Sequence, residues 1–184
     1  MRTNLVITDN FYSNPDHVRN FALQQEFALQ GNFPGKRTKS FLTQDVKDAI
    51  QSILWNAAGE ITEWHDRDGL TGCYEIATSR DRSWIHTDHF NSWAGICYLT
   101  PNPPLTGGTG LFRHKRTGAE RAADLNEEYD AQDMTMWEMT DRIGNKYNRL
   151  AFYRGDLFHT SLDYFGHDLY TGRLFQLFFI TTQY

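Results

Sequence analysis

Cysteine is nearly absent from this 184-residue chain: there are two, Cys73 and Cys97, and no Cys-x-x-Cys pair. That excludes a disulfide framework. It makes a reducing cytoplasm the expected compartment, a host cytoplasm if the source is viral. Long apolar runs are also missing. Nothing approaches the ~20 residues of a membrane span, so no membrane partner is expected. Asp9 and Asn10 cut the run Leu5-Val6-Ile7 too short for a secretory signal. Basic charge is not in excess, because 18 Lys and Arg stand against 23 Asp and Glu, a formal net charge of -5. With no general phosphate-binding surplus, no nucleic-acid partner is expected. Internal repeats and low-complexity tracts are absent as well.

Hydrophobic residues make up 40% of the chain and aromatics 15%, enough at this length for one domain with a real core. Leu5-Val6-Ile7 reads as a short strand. Asn14 is a cap candidate and Pro15 suits a first helical position, and Val18, Phe21, Ala22 and Gln25 follow at roughly helical spacing. Asn32 to Lys39, with Pro34-Gly35, reads as a loop. Its Lys36, Arg37 and Lys39 form either a solvated surface or a rim that meets a substrate anion. Thr43 to Trp64 has apolar residues at helical spacing, interrupted at Gly59.

From Gly72 the period changes. Cys73–Ala77, Ala94–Leu99, Gly110–His114, Asn148–Tyr153, Asp156–Ser161 and Arg173–Thr182 read as strands. Many short strands with Gly, Pro and Asn punctuation suggest a sandwich or barrel. Residues 115–146 are polar and read as an insertion, a lid or substrate platform. Short helices are expected at Ala122–Tyr129 and Met134–Ile143, with Trp137 and Met139 packing on the barrel.

The chemistry concentrates in His86-Thr87-Asp88, His159 and Arg173. Two histidines and a carboxylate form the facial triad that holds non-haem Fe(II) with positions open. On an extended segment, residues i and i+2 share a face, so His86 and Asp88 grip one ion together. His159 supplies the third ligand from another strand. The ion keeps residual positive charge, which favours an anionic chelating co-substrate, with one position left for O2. A bidentate 2-oxoacid fits, and its far carboxylate needs a cation. Arg173 opens the last apolar strand and offers a planar fork that matches a carboxylate.

In this arrangement the sequence resembles the Fe(II)/2-oxoglutarate-dependent oxygenases, in their prolyl 4-hydroxylase-like branch. The resemblance runs from about Gly72 to the end. It is carried by SWIHTD (83–88), AGICYLT (94–100), GGTGLF (107–112), GDLFHTS (155–161) and GRLFQLFF (172–179), in the family's order. The N-terminal stretches NFYSNPDHVRNFAL and NFPGKRT look like a subgroup of small proteins of this superfamily, phage ones among them. The resemblance implies a mainly β fold, a double-stranded β-helix (jelly roll) with N-terminal helices packed on the major sheet. It would be a single oxygenase domain over 1–184: helical support in 1–71, then a core in 72–184 with the 115–146 insertion. It implies His86, Asp88 and His159 as iron ligands, and Arg173 on the C5 carboxylate of 2-oxoglutarate. Tyr98 would reach that carboxylate too, and Tyr74 matches a second tyrosine upstream of the histidine. The implied reaction converts 2-oxoglutarate and O2 to succinate and CO2 while hydroxylating a C–H bond of a prolyl or other protein residue, or of a free amino acid.

Other residues have plainer readings. His89 should face away from Asp88, His114 either lines the pocket or packs, and His167 is solvated. Asp156 shapes a turn, Gln176 makes a structural hydrogen bond on the face opposite Arg173, and Phe175, Leu177 and Phe179 are core. Trp84 and Trp93 either wall the substrate or pack. Two rival functions use the same residues: a cupin-like metalloenzyme without 2-oxoglutarate, and a non-catalytic barrel serving as a binding module.

Overall fold

The computed structural model describes residues 3–66 and 70–183. Strand β1 (Leu5–Thr8) leads into helix α1 (Pro15–Leu23), where the Asn14 side chain accepts from the His17 backbone N–H and Pro15 opens the first turn. Lys36–Ser40 is a strand, β2, rather than loop. Gly35, at φ 75, turns the chain so that β2 pairs with β4 (Cys73–Ala77). That pairing outweighs the weak strand propensity of a lysine-rich run, and lysines are common on edge strands.

Helix α2 (Gln44–Ala58) is capped by Thr43, and it stops at Gly59, at φ 83. The helical expectation through Trp64 is therefore corrected: Glu60–Trp64 is β3, paired with the far end of β10 (Arg173–Gln183). The remaining strands are β5 (Trp93–Tyr98), β6 (Thr109–His114), β7 (Trp137–Ile143), β8 (Leu150–Arg154) and β9 (His159–Ser161). The two helices expected in the insertion are also corrected. Ala122–Asp124 and Met134–Met136 are single 3-10 turns, and Trp137 onward is β7, hydrogen-bonded to β6.

The fold is mainly β with flanking helices. One antiparallel sheet runs β1-β8-β5-β10-β4-β2 and the other β7-β6-β9. Alternation along β10 assigns its two faces. Leu174, Phe178 and Ile180 pack with Ala22 of α1 and with Ile50, Leu54 and Ala58 of α2. Phe175, Leu177 and Phe179 face Leu111 and Ile143 of the smaller sheet. Strand residues thus form much of the wall between the sheets, with loop residues such as Leu157 completing it, and the helices support the large sheet from behind. Trp137 and Met139 pack with Phe112 and Phe158 on the outer face of the small sheet. No helix among the described residues is long and apolar enough to cross a membrane.

Candidate active site

His86 and His159 face each other as an isolated antiparallel bridge, with His86 N–H donating to His159 C=O at 3.0 Å and the reverse bond at 2.9 Å. This pairing fixes their side chains on one side, ring centroids 4.4 Å apart. Asp88 is anchored two residues on, its N–H donating to Gly155 C=O at 2.7 Å. One ligand atom from each of His86, Asp88 and His159 lies within 4.8 Å of the others. His159 Nε2 is 3.3 Å from one Asp88 oxygen, and His86 Nε2 is 4.0 Å from the other.

The tautomers are set by the backbone. His86 Nδ1 is 2.9 Å from Trp84 C=O and His159 Nδ1 is 2.8 Å from Leu157 C=O. A carbonyl only accepts, so both Nδ1 atoms carry the proton and both Nε2 atoms offer a lone pair toward Asp88. That is the usual way an imidazole is oriented for a metal. Burial, reinforced by the His159 ring, pushes the His86 pKa down and keeps that lone pair open.

Gly155 makes the Asp88 anchor possible. A Cβ there would lie 2.1 Å from Asn91 Oδ1 and 2.7 Å from Asp88 O. Gly155→Ala is expected to push the His86–Asp88 segment away, costing about 1–3 kcal/mol of stability and weakening Mn(II) binding. Urea midpoints and metal titration check this; unchanged values in both would refute it.

A cavity of about 480 Å³ borders all three residues, with Ile96, Tyr153, Phe175, Leu177 and Phe179 among its walls. Arg173 is fully buried behind this wall. Its Nε donates to Gly107 C=O at 2.9 Å and an Nη to Gly108 C=O at 3.1 Å. The other Nη is buried without a hydrogen-bond partner among the described residues. The Tyr98 and Tyr164 rings stand 5.4 and 5.8 Å from the guanidinium. The Tyr98 hydroxyl shares a hydrogen bond with Thr109 Oγ1 at 2.9 Å.

HygX from Streptomyces hygroscopicus, solved with nickel and 2-oxoglutarate bound, has the same fold: the TM-score is 0.66 at 10% identity, covering 99% of this chain and 84% of that one. It has also been solved with hygromycin B bound. A prolyl hydroxylase from Trichoplax adhaerens, in complex with a hypoxia inducible factor oxygen degradation domain peptide fragment, aligns with a TM-score of 0.51 at 13% identity, covering 97% of this chain and 84% of that one. The resemblance to the 2-oxoglutarate oxygenases and their prolyl hydroxylase-like branch therefore holds at the level of fold. No curated protein matches in sequence. A family model, described as a family of unknown function (DUF6445), matches residues 1–132. This chain is a member of that family.

In this DUF6445 protein, not every residue singled out from the sequence reaches the cavity. Tyr74 does not: it points to the helix side of the large sheet, stacked on Phe41 at 5.9 Å and edge-on to Phe21 at 6.3 Å. Strand alternation gives the reason, because its neighbour Glu75 takes the cavity side. Burial pushes the Tyr74 hydroxyl up to about 12. His114 is buried against Trp137 and near Glu127, away from the cavity. His89 is exposed at the cavity edge and stays outside the triad. Trp84 borders the cavity, whereas Trp93 is buried on the helix side under Arg154. Gln176 bonds Gly72 C=O and the Tyr12 hydroxyl on the face away from Arg173.

Arg37, read as part of either a solvated surface or a rim that meets a substrate anion, borders the cavity, and two other cavity residues, Tyr153 and Glu75, escaped the sequence reading. Tyr153 packs on the His159 ring at 4.6 Å. Glu75 and Arg37 form a buried ion pair in the cavity wall. A charged residue inside the otherwise apolar run Cys73–Ala77 was the available signal for Glu75.

Proposed function

We propose that this protein is an Fe(II)- and 2-oxoglutarate-dependent dioxygenase that hydroxylates an unactivated C–H bond. On this reading the two facing sheets are a double-stranded β-helix, and the chain is a single oxygenase domain with the 115–146 segment inserted. The observation that carries it is the pair of histidines whose Nδ1 atoms are tied to backbone carbonyls, leaving both Nε2 lone pairs facing Asp88.

The donor set fits the ion: two neutral imidazoles and one carboxylate suit Fe(II) and leave coordination positions open. His86, Asp88 and His159 would hold the iron, which supplies the activation of O2 that couples oxidation of 2-oxoglutarate to succinate and CO2 with hydroxylation of the substrate. Tyr153 packs behind His159 and keeps its ring in place. Arg173 has an Nη with no partner of its own, a natural mate for the distal carboxylate of 2-oxoglutarate. Tyr98 and Thr109 flank it with hydroxyls. Ile96, Phe175, Leu177 and Phe179 keep the space apolar and limit water.

Succinate formation from 2-oxoglutarate in the presence of Fe(II) and O2 tests this. It should appear with the wild-type protein and vanish with Asp88→Ala. Metal binding without any response to 2-oxoglutarate would favour a cupin-like metalloenzyme instead.

A further inference from the structure

A buried ion pair outside the triad faces the same cavity. Arg37 of β2 and Glu75 of β4 are direct cross-strand partners. Arg37 Nε donates to Glu75 Oε2 at 2.5 Å, with the side chains 11% and 4% exposed. Stability is a weak reason to have such a pair. Desolvating two charges costs several kcal/mol per ion, and apolar residues of similar volume often do as well.

The geometry supplies a better reason. The bond to Glu75 uses Nε alone, and among the described residues neither Nη group of Arg37 makes a hydrogen bond. The guanidinium lies over the Phe33 ring, 3.8 Å from its centroid. It is thus held at its inner edge by a carboxylate and on one face by an aromatic ring. Its outer edge keeps the fork that grips an anion through two parallel bonds. Arg173, by contrast, is fully buried and spends two of its nitrogens on the Gly107 and Gly108 carbonyls. Among the described residues, Arg37 is the one permanent cation on the cavity wall itself.

Resting on the oxygenase reading above, we propose that Arg37 determines substrate specificity: the primary substrate is a small carboxylate that docks on the Nη edge of Arg37 and presents a nearby C–H bond to the triad. Glu75 acts as a positioning residue that fixes the guanidinium. A cavity of about 480 Å³ has room for a co-substrate and a molecule of amino-acid size.

The test uses protein loaded anaerobically with Mn(II) and 2-oxoglutarate, after that loading has been verified by titration. Free amino acids and N-acetyl amino acids, each beside its carboxamide, are then followed by paramagnetic broadening of their proton NMR signals. Acids should bind roughly tenfold to a hundredfold more tightly than their amides, the worth of a charge-assisted bidentate contact. Arg37→Met combined with Glu75→Leu removes the pair without stranding a charge, so the protein still folds. It should lose the preference for acids and keep its Mn(II) and 2-oxoglutarate affinities. Glu75→Gln, which retains an acceptor for Nε, should keep more of the preference than Glu75→Ala. Equal binding of acids and amides, or no binding by the panel, overturns the proposal. So does loss of 2-oxoglutarate affinity in the double variant, which would assign Arg37 to the co-substrate. Failure of the wild type to take 2-oxoglutarate at the loading step sinks the oxygenase reading itself, and this proposal with it.

Discussion

Substituting His159 by Ala is expected to remove tight divalent-metal binding while the fold persists. His159 is 3% exposed, and its Nδ1 bond to Leu157 C=O and its ring contacts with His86 and Tyr153 all disappear. The lost packing and hydrogen bond cost about 1–3 kcal/mol, a tolerable fraction of a domain's stability. The metal site suffers far more. Removing an outer-sphere partner of a ligand already costs roughly 10–100-fold in affinity, so removing a ligand should exceed that. Calorimetric titration with Mn(II), beside a urea melt, reads both quantities. Unchanged affinity would mean that the three residues are not a metal site, and would revive the non-catalytic barrel.

Arg173→Met has the second large effect, and it separates co-substrate from metal. The substitution keeps an apolar, unbranched stem and removes the guanidinium and its donors. The Gly107 and Gly108 carbonyls each lose one of two donors, keeping Asn145 Nδ2 and the Leu162 N–H respectively. At about 0.5–1.5 kcal/mol for each lost bond, Tm should fall by roughly 2–12 °C. With Mn(II) in place, 2-oxoglutarate affinity should drop by roughly tenfold to a hundredfold, while Mn(II) affinity stays near wild type. A variant that melts lower but binds 2-oxoglutarate as before would confine Arg173 to a structural role.

The triad was legible because two independent patterns agreed. His86 and Asp88 share a face by i, i+2 spacing, and His159 and Arg173 follow in the order of the oxygenase motifs; the structure then sets His159 directly opposite His86. Arg173 was legible as the charged start of an apolar strand. Tyr74 was not, because Cys73–Ala77 is buried on both faces. With no polar alternation to read, the parity of that strand stayed hidden, and the family's tyrosine pattern selected the residue beside the one that faces the cavity. Strand β2 was missed because its pairing partner lies far away in sequence, and local propensity favours a loop there. Strand β7 shows a different difficulty. Its register shifts opposite Leu111 and Phe112, which puts Trp137 on the outer face and Ile143 on the inner one. A bulge of this kind breaks the period of two along the strand.

The central claim is that the His86–Asp88–His159 cluster and Arg173 form one site for a metal and 2-oxoglutarate. Anaerobic calorimetry of 2-oxoglutarate binding, with and without Mn(II), tests it most directly. The account predicts binding that requires the metal and is weakened in Arg173→Met. Metal-independent binding, or none in the metal-loaded protein, would contradict it.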